Sequence, residues 1–172
     1  MAVRREAVAL RAVTAPRSFD EFFKDEHDGL YRALYFVTGN RQDAEDLMQE
    51  AFLRLWERWN RIDQIDDPTS YLFRVALNGF RMGVRRAKTA ARRLIGIGDA
   101  SDPTSDVELR ADLHRLLLGV SPRQRAALVL LDLYGYTSEE AGRILGIRAP
   151  TARALASQGR AALRKTHGDR DV

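Results

Sequence analysis

The chain has 172 residues, a length that accommodates one domain or two small ones. Its 28 Lys and Arg exceed its 24 Asp and Glu by four, so a clustered basic surface would attract polyanions. Apolar residues make up 45% of the chain, which is typical of a globular protein, and no apolar stretch approaches the roughly 20 residues of a membrane span. The lack of cysteine excludes disulfides, thiolate metal sites and cysteine nucleophiles.

Residues 1–17 form a basic N-terminal segment in which Arg11 interrupts the apolar run. The interruption leaves that run shorter than the hydrophobic region of a secretory signal. An Arg-rich organellar transit peptide is the alternative, but we favour a basic tail on a cytoplasmic protein.

Helix signals follow one another along the rest of the chain, and strand signals are nearly absent. Capping boxes, in which a hydroxyl and a side chain three residues later satisfy helix-end amides, are predicted at four positions. They are Ser18 with Glu21, Ser105 with Glu108, Ser121 with Gln124, and Thr137 with Glu140. Glycines suited to helix ends occur at Gly39, Gly119, Gly135 and Gly146. The signals predict an all-α protein with helices at about 19–38, 41–59, 68–94, 106–118, 122–134, 138–145 and 150–166.

Residues 96–106 break this pattern with two Gly, one Pro and three Asp and no apolar periodicity. Such a composition is typical of a flexible linker. We therefore predict an acidic linker at 95–106 that joins two small helical domains, at 18–94 and 107–168.

The predicted helix over 41–59 has two unlike faces when residues are placed 100° apart. One side is apolar and is expected to be core; it comprises Leu47, Met48, Ala51, Phe52, Leu55, Trp56 and Trp59. The opposite side carries Asp46, Gln49, Glu50, Leu53 and Glu57. A solvated helix face would account for these charges, but a leucine at the centre also suits docking on a basic partner surface.

The predicted helix over 68–94 is organised in the same way. Phe73, Leu77, Phe80 and Val84 are expected to face inward, while Arg74, Asn78, Arg81 and Arg85 form an adjacent stripe. From Arg81 to Arg93 there are six cations and no acid, so the like charges repel one another. A bound phosphate backbone would relieve this repulsion, and we favour nucleic-acid binding over a merely solvated charge run.

Residues 137–165 have the spacing of a helix-turn-helix, with a turn at 146–148 and a second helix opened by Pro150. In that motif the second helix enters the DNA major groove. Every charged residue between Gly142 and Gly168 is basic, which strengthens a DNA-binding interpretation over a plain helical hairpin.

No catalytic, metal-binding or cofactor-binding pattern is recognisable, so we expect a protein that is not an enzyme. His27, His114 and His167 are scattered without metal-ligand spacing. The glycines Gly96 and Gly98 are too few for a phosphate-binding loop and follow no predicted strand.

Over residues 19 to about 166 the chain strongly resembles the extracytoplasmic-function group of bacterial RNA polymerase sigma factors. The most specific segments are DAEDLMQEAFLRLWERW at 43–59, YLFRVALNGFRMGVRR at 71–86, and SPRQRAALVLLDLYGYTSEEAGRILGI at 121–147. The resemblance implies a promoter-specificity subunit with a domain two at 18–94 and a domain four at 107–168. It would bind core RNA polymerase, recognise the −10 and −35 promoter elements and help to open the duplex.

The resemblance also assigns site residues. Those implied to bind the clamp helices of the large polymerase subunit are Asp46, Gln49, Glu50 and Leu53. Those implied to bind −10 DNA are Arg74, Asn78, Arg81, Arg85 and Arg86, and the 60–70 loop would hold a base flipped out of the non-template strand. Those implied to bind −35 DNA are Arg148, Thr151, Arg153, Ser157, Gln158 and Arg160. The family pattern has a hydroxyl and two cations where this chain has Ala154, Leu155 and Gln158, so we expect the second helix to rely more on phosphate than on base contacts.

Other interpretations stay open at this point. The chain could be an autonomous helix-turn-helix regulator with an N-terminal sensor or dimerisation domain, or an interaction protein that has lost promoter recognition. The stripes at 46–57 and 74–85 argue against a sensor, which needs neither. The linker, with Asp99, Asp102 and Asp106, would run through the polymerase channel or act as an inert spacer. An anti-sigma protein is a further partner that the resemblance allows.

Overall fold

The computed structural model of the protein describes residues 18–91 and 108–168, and the regular elements in these ranges are all helical. The predicted all-α class is therefore confirmed. The predicted tail at 1–17 and the predicted linker at 95–106 lie outside the described residues, as does Ser105 of one predicted capping box. The division into domains at 18–94 and 107–168 stays a prediction.

The N-terminal region consists of α1 (Phe19–Thr38), α2 (Arg41–Trp56), a 3₁₀ helix (Trp59–Gln64) and α3 (Pro68–Ala91). The predicted capping box of Ser18 and Glu21 opens α1, and Gly39 ends it in the left-handed conformation at φ 76°. The apolar sides of the three α-helices meet in a fully buried core that includes Leu30, Leu34, Leu55, Leu72 and Phe73.

The predicted helix over 41–59 ends three residues early. At Arg58 the backbone leaves the helical conformation, with φ −108° and ψ 3°, and a 3₁₀ turn follows. The change directs the Trp59 ring back against Phe19 and Phe22, with ring centroids 5.2 and 5.3 Å away. Partial burial of this large aromatic ring among other rings favours the early end of the helix.

The C-terminal region consists of α4 (Glu108–Leu118), α5 (Pro122–Leu128), a π-helical turn (Val129–Leu133), α6 (Ser138–Leu145) and α7 (Ala149–Gly168). The predicted helix over 122–134 is thus divided in two. At the division the amide of Tyr134 donates to the carbonyl of Val129, 3.0 Å away and five residues earlier. The predicted capping boxes at Ser121 and Thr137 are both present.

The two regions pack against each other. Phe73 of α3 lies against Tyr134 and Tyr136 of the C-terminal region, with centroid distances of 5.4 and 5.9 Å. The Tyr35 ring of α1 stacks on His114 of α4 at 4.4 Å with an interplanar angle of 9°. A continuous apolar core therefore runs from one region into the other.

Candidate nucleic-acid and partner interfaces

The acidic stripe, defined here as Asp46, Gln49, Glu50 and Leu53, lies on the outer side of α2, and all four side chains are exposed. Leu53 is 55% exposed although it is apolar. The Arg54 guanidinium donates to the Glu50 carboxylate at 2.6 Å, an exposed pair of the kind that contributes about 0.3–0.5 kcal/mol. Because this pair is weak, the Glu50 carboxylate can bind a cation of a partner protein in place of Arg54. The structure therefore brings the four predicted polymerase-binding residues onto one accessible face.

Trp56 was predicted to be core, and this prediction is wrong, because its side chain is 56% exposed. Around the helix it lies about 40° from the buried Phe52 and about 60° from the exposed Leu53. One edge of the ring packs on Phe19, with centroids 4.8 Å apart, and the rest faces outward beside Leu53. The predicted core residues Leu47 and Trp59 are only half-buried.

The basic helix α3 presents Arg74 and Asn78 to the outside, on the stripe adjacent to the buried Phe73 and Leu77. Arg81 departs from this arrangement. It is half-buried, and its Nη1 donates to the carbonyl of Leu145, 2.9 Å away at the end of α6. The predicted inward residue Phe80 is half-buried.

Arg85, Arg86 and Val84 belong to the last turns of α3, beyond the side chains that the structure describes. Of the residues predicted to bind −10 DNA, the structure thus describes the side chains of Arg74, Asn78 and Arg81. Arg74 and Asn78 are exposed on one face of α3, whereas Arg81 contacts the C-terminal region.

The predicted base-holding loop lines a cleft of about 690 Å³ between α3 and α6. One wall is formed by the segment from Arg58 to Arg74, and the other by Glu140, Arg143 and Ile144 of α6. Tyr71 lies on the first wall, with the guanidinium carbons of Arg58 and Arg74 6.0 and 5.2 Å from its ring centroid. An aromatic ring next to two guanidinium groups is suited to stacking a base and binding its phosphate.

The helix-turn-helix is formed by α6, a left-handed Gly146 at φ 63°, and α7. Ala152 and Ala156 of α7 are fully buried against the rest of the region. The predicted −35 contacts therefore face outward, and every one of them is exposed: Arg148, Thr151, Arg153, Ser157, Gln158 and Arg160.

Two of these cations have carboxylate partners that the sequence did not indicate. The Arg160 guanidinium donates to both Asp132 carboxylate oxygens, at 2.9 and 3.0 Å. The Arg153 guanidinium donates to the Ser138 hydroxyl at 3.1 Å and lies 3.5 Å from the Glu139 carboxylate. A DNA phosphate would have to compete with these acids for both arginines.

The structure also contains a buried pair of basic side chains that the sequence did not indicate. Arg125 of α5 is 6% exposed and His114 of α4 is 3% exposed, and both border Gly39 where the two regions meet. Burial lowers the pKa of Arg125, and burial followed by the Arg125 charge lowers the pKa of His114. Spacing could have indicated Arg125, because it precedes the buried Leu128 and Val129 by three and four residues.

Two further findings concern only the part of the chain that the structure describes. There, His, Asp and Glu side chains form no group of three placed to hold a metal ion. Likewise, none of the helices resolved in these ranges is both long and apolar enough to cross a bilayer.

Two family models match the chain in the same order as its two helical regions. Sigma-70 region 2 matches residues 22–90, and Sigma-70 region 4 matches residues 110–163. The first covers α1 to α3, including the acidic stripe and the basic helix. The second covers the helix-turn-helix.

Individual proteins agree with these matches. The ECF RNA polymerase sigma factor SigE of Mycolicibacterium smegmatis is 36% identical over 156 residues, which cover 86% of this chain and 60% of that protein. The RNA polymerase sigma-E factor of Streptomyces avermitilis is 30% identical over 156 residues, with 90% and 87% covered. The solved complex of sigma factor RpoE with anti-sigma factor NepR from Bartonella quintana has a TM-score of 0.72 at 22% identity, covering 86% of this chain and 94% of that one.

The Bartonella structure shows a shared fold, and the sequence matches identify the family. Both sigma-70 regions are present in order, and the Streptomyces relative is matched over nearly its whole length. The chain belongs to the extracytoplasmic-function group of RNA polymerase sigma factors.

Proposed function

We propose that the chain is a promoter-specificity subunit that binds core RNA polymerase and directs it to −10 and −35 promoter elements, without catalytic chemistry or a cofactor of its own. One observation supports this function above others: an acidic stripe, a basic helix and an exposed helix-turn-helix occupy separate surfaces of one chain. An autonomous regulator needs only the last of these. The protein would act in the cytoplasm, where polymerase and promoters are.

The acidic stripe of α2 is the proposed polymerase contact. Asp46 and Glu50 would meet a basic surface, while Leu53, more than half exposed, would be buried against apolar atoms at its centre. The exposed Trp56 lies beside Leu53 and would extend the apolar part of the contact. The partner would be the clamp helices of the large polymerase subunit.

The outer face of α3 and the 60–70 loop are the proposed −10 site. Arg74 would follow the phosphate backbone, and Asn78 would hydrogen-bond the exposed edge of an unpaired base. The cleft beside Tyr71 has room for a base removed from its stack. Arg81, Arg85 and Arg86 would extend the phosphate contacts along the helix.

The outer face of α7 is the proposed −35 site, with the helix in the major groove. Arg148 and Thr151 lie at its start and would meet phosphate, while Arg153, one turn further, is within reach of base edges. Ser157, Gln158 and Arg160 continue the same face. The NepR complex of the Bartonella protein supports an anti-sigma protein as a further partner of this chain.

A binding experiment with core polymerase tests the proposal. The double variant Asp46→Lys, Glu50→Lys should bind core polymerase at least tenfold more weakly. Its two lysines would repel the basic partner surface that the carboxylates of the stripe are proposed to meet. Its unfolding free energy should change by less than about 0.5 kcal/mol for each exposed substitution. Asp28→Lys, an exposed reversal on α1, is the matched control and should bind as the parent does.

Two outcomes would contradict the proposal. If the double variant binds core polymerase as tightly as the parent, the stripe is not the contact. If the parent fails to bind core polymerase but binds duplex promoter DNA alone, the chain is an autonomous regulator.

A further inference from the structure

The loop proposed to hold a −10 base is fastened to one side of α1. Phe19, Phe22 and Glu26 follow one another at intervals of three and four residues, so they share a helix face. The Trp59 ring, immediately before the loop, packs on the first two of them, with centroids 5.2 and 5.3 Å away. Near the end of the loop, the Thr69 hydroxyl donates to Oε1 of Glu26 at 3.1 Å. The same helix therefore holds both ends of the loop.

Glu26 is buried where an apolar side chain would be expected. It is 2% exposed, and no other acidic side chain is buried among the residues that the structure describes. Its neighbours on the same face of α1, Phe22 and Leu30, both belong to the apolar core. Burial of a carboxyl group costs free energy that an apolar side chain of similar size does not cost. Helix packing alone therefore does not account for a carboxyl group at this position.

The hydrogen bond from Thr69 to Glu26 acts on the residues that line the proposed base site. Thr69 is the second residue of α3, and Tyr71, whose ring lies on the wall of the cleft, follows two residues later. A local bond from the Ser70 amide to the Asp67 carboxylate, 3.0 Å long, caps the first turn of α3. This cap fixes the shape of the turn, whereas the bond to Glu26 joins the turn to α1, 43 residues away in sequence.

We propose that Glu26 is a positioning residue for −10 base recognition, which holds the end of the 60–70 loop and the Tyr71 ring where an unpaired base can stack. The inference rests on the proposed function. Because its side chain is buried, Glu26 acts through Thr69 and does not touch DNA. Play of about 1 Å in the residues that support a binding site is enough to impair it.

Selection from a randomised −10 library, by holoenzyme assembled with full-length variants, tests this role. Glu26→Leu keeps a side chain of similar size but has no acceptor for the Thr69 hydroxyl. Preference at one base position, the one held by the loop, should fall by about fivefold or more, as expected for loss of a base stack on an aromatic ring. The position whose preference depends on Asn78 should keep it. Core polymerase affinity should equal that of the parent, and the melting temperature should not fall, since an apolar side chain suits a buried site.

Glu26→Gln is the matched control, because its amide oxygen can still accept from the Thr69 hydroxyl. It should select the same −10 sequence as the parent. Thr69→Val removes the donor and should lose preference at the same base position as Glu26→Leu. The double variant Glu26→Leu, Thr69→Val should lose no more than either single variant, because all three lack the same hydrogen bond.

Three results would overturn the inference. Glu26→Leu could keep its preference at every base position. It could instead lose preference at all positions together with a lower melting temperature, which would show that Glu26 serves only the packing of α1. The losses of the two single variants could add in the double variant, which would show that Thr69 contacts DNA independently of Glu26. If Glu26→Leu does not fold, an unaltered preference of Thr69→Val overturns the inference in its place.

The parent holoenzyme separates failure of this inference from failure of the proposed function. If the parent selects a −10 sequence and Glu26→Leu selects the same one, only the positioning role of Glu26 fails. If the parent holoenzyme selects no −10 sequence, the proposed −10 site fails, and the inference fails with it.

Discussion

Gly159 shows at the scale of one residue how packing can reverse a helix-propensity argument. By propensity alone, glycine within α7 costs about 1 kcal/mol relative to alanine. A Cβ added there would lie 2.8 Å from Leu128 Cδ1 and 3.1 Å from Leu128 Cγ, and Leu128 is buried. The absence of a side chain therefore allows α7 to lie directly on α5.

We predict that Gly159→Ala lowers the free energy of unfolding, because overpacking of about 1–3 kcal/mol exceeds the propensity gain. Gly83→Ala is the matched control, since Gly83 is exposed in α3 and an added Cβ there has no neighbour within 4 Å. It should raise the same free energy by about 0.5–1 kcal/mol. Urea unfolding of both variants checks the prediction, and a gain in stability for Gly159→Ala would contradict it.

Asn78 carries a second prediction at this scale. Its amide is exposed on the outer face of α3 beside the open end of the loop, and an amide can read a base edge where a cation follows phosphate. Asn78→Ala should reduce the preference of the holoenzyme for its −10 sequence, whereas Arg74→Ala should weaken binding to all sequences and lower the slope of salt dependence by about one. Selection from a randomised −10 library measures both, and an unchanged preference would remove Asn78 from the site.

At the scale of elements, the regular helices followed from local signals. The capping boxes at Ser18, Ser121 and Thr137 and the left-handed glycines at Gly39 and Gly146 predicted helix ends that the structure contains. Such ends are determined by residues within one turn, which is why a sequence alone reveals them.

The irregular elements depend on contacts distant in sequence. The early end of α2 accompanies packing of Trp59 on Phe19 and Phe22, which lie about 40 residues earlier in the chain. A Cβ added to Gly79 would lie 2.9 Å from Leu47 Cδ2, so this glycine allows α2 and α3 to approach each other. The partners of these residues cannot be read from helical periodicity.

The same division applies to the candidate sites. Helical periodicity was sufficient to group the acidic stripe and the outer face of α7, because each lies on a single helix. The partners of Arg81 and Arg160 lie 64 and 28 residues away in sequence, and only the fold reveals them.

Element α7 supports a prediction about its two paired arginines. Arg153→Ala should cost about 1–3 kcal/mol of −35 affinity and relax specificity at one or two positions, because Arg153 is within reach of base edges. Arg160→Ala should weaken binding uniformly, since this residue lies two turns further along. Asp132→Asn is the control: it releases Arg160 from its carboxylate and should strengthen binding. Selected −35 sequences measure specificity, and an unaltered consensus for Arg153→Ala would place base reading elsewhere.

At the scale of the whole molecule, packing of the two regions against each other, called here the closed state, buries basic groups. At the junction, Nη2 of Arg125 donates to the carbonyl of Val120 at 3.4 Å, but its Nε and Nη1 atoms have no hydrogen-bond partner among the residues that the structure describes. Buried polar groups without partners are costly, and opening would return them to water. The closed state is therefore held by apolar and aromatic contacts against an electrostatic cost.

The burial of His114 predicts that the stability of the closed state depends on pH. The groups that face His114 are the Arg125 guanidinium of α5, the Tyr35 ring of α1 and the backbone of Gly39. Burial followed by the Arg125 charge lowers the His114 pKa in the closed state, and a backbone hydrogen bond with Gly39 raises it by less. The open or unfolded chain has the ordinary pKa of about 6.5 and therefore binds the proton more readily. The contribution of His114 to the stability of the closed state is therefore full above about pH 6.5 and declines as the pH falls below it. For one proton, the equilibrium constant of closure falls by at most about tenfold per pH unit.

The variant His114→Phe retains a ring for stacking on Tyr35 but cannot be protonated. Because the chain has no cysteine, Asp20→Cys on α1 and Lys165→Cys on α7, both at exposed positions, can carry a donor and an acceptor dye. Between pH 7.5 and 5.5 the parent should lose energy transfer between these dyes, and the variant should lose much less. His27→Phe, a half-buried position on α1 away from the junction, is the control and should behave as the parent does. Equal pH responses of parent and His114→Phe would show that protonation of His114 does not open the closed state, and the junction would then be insensitive to acid.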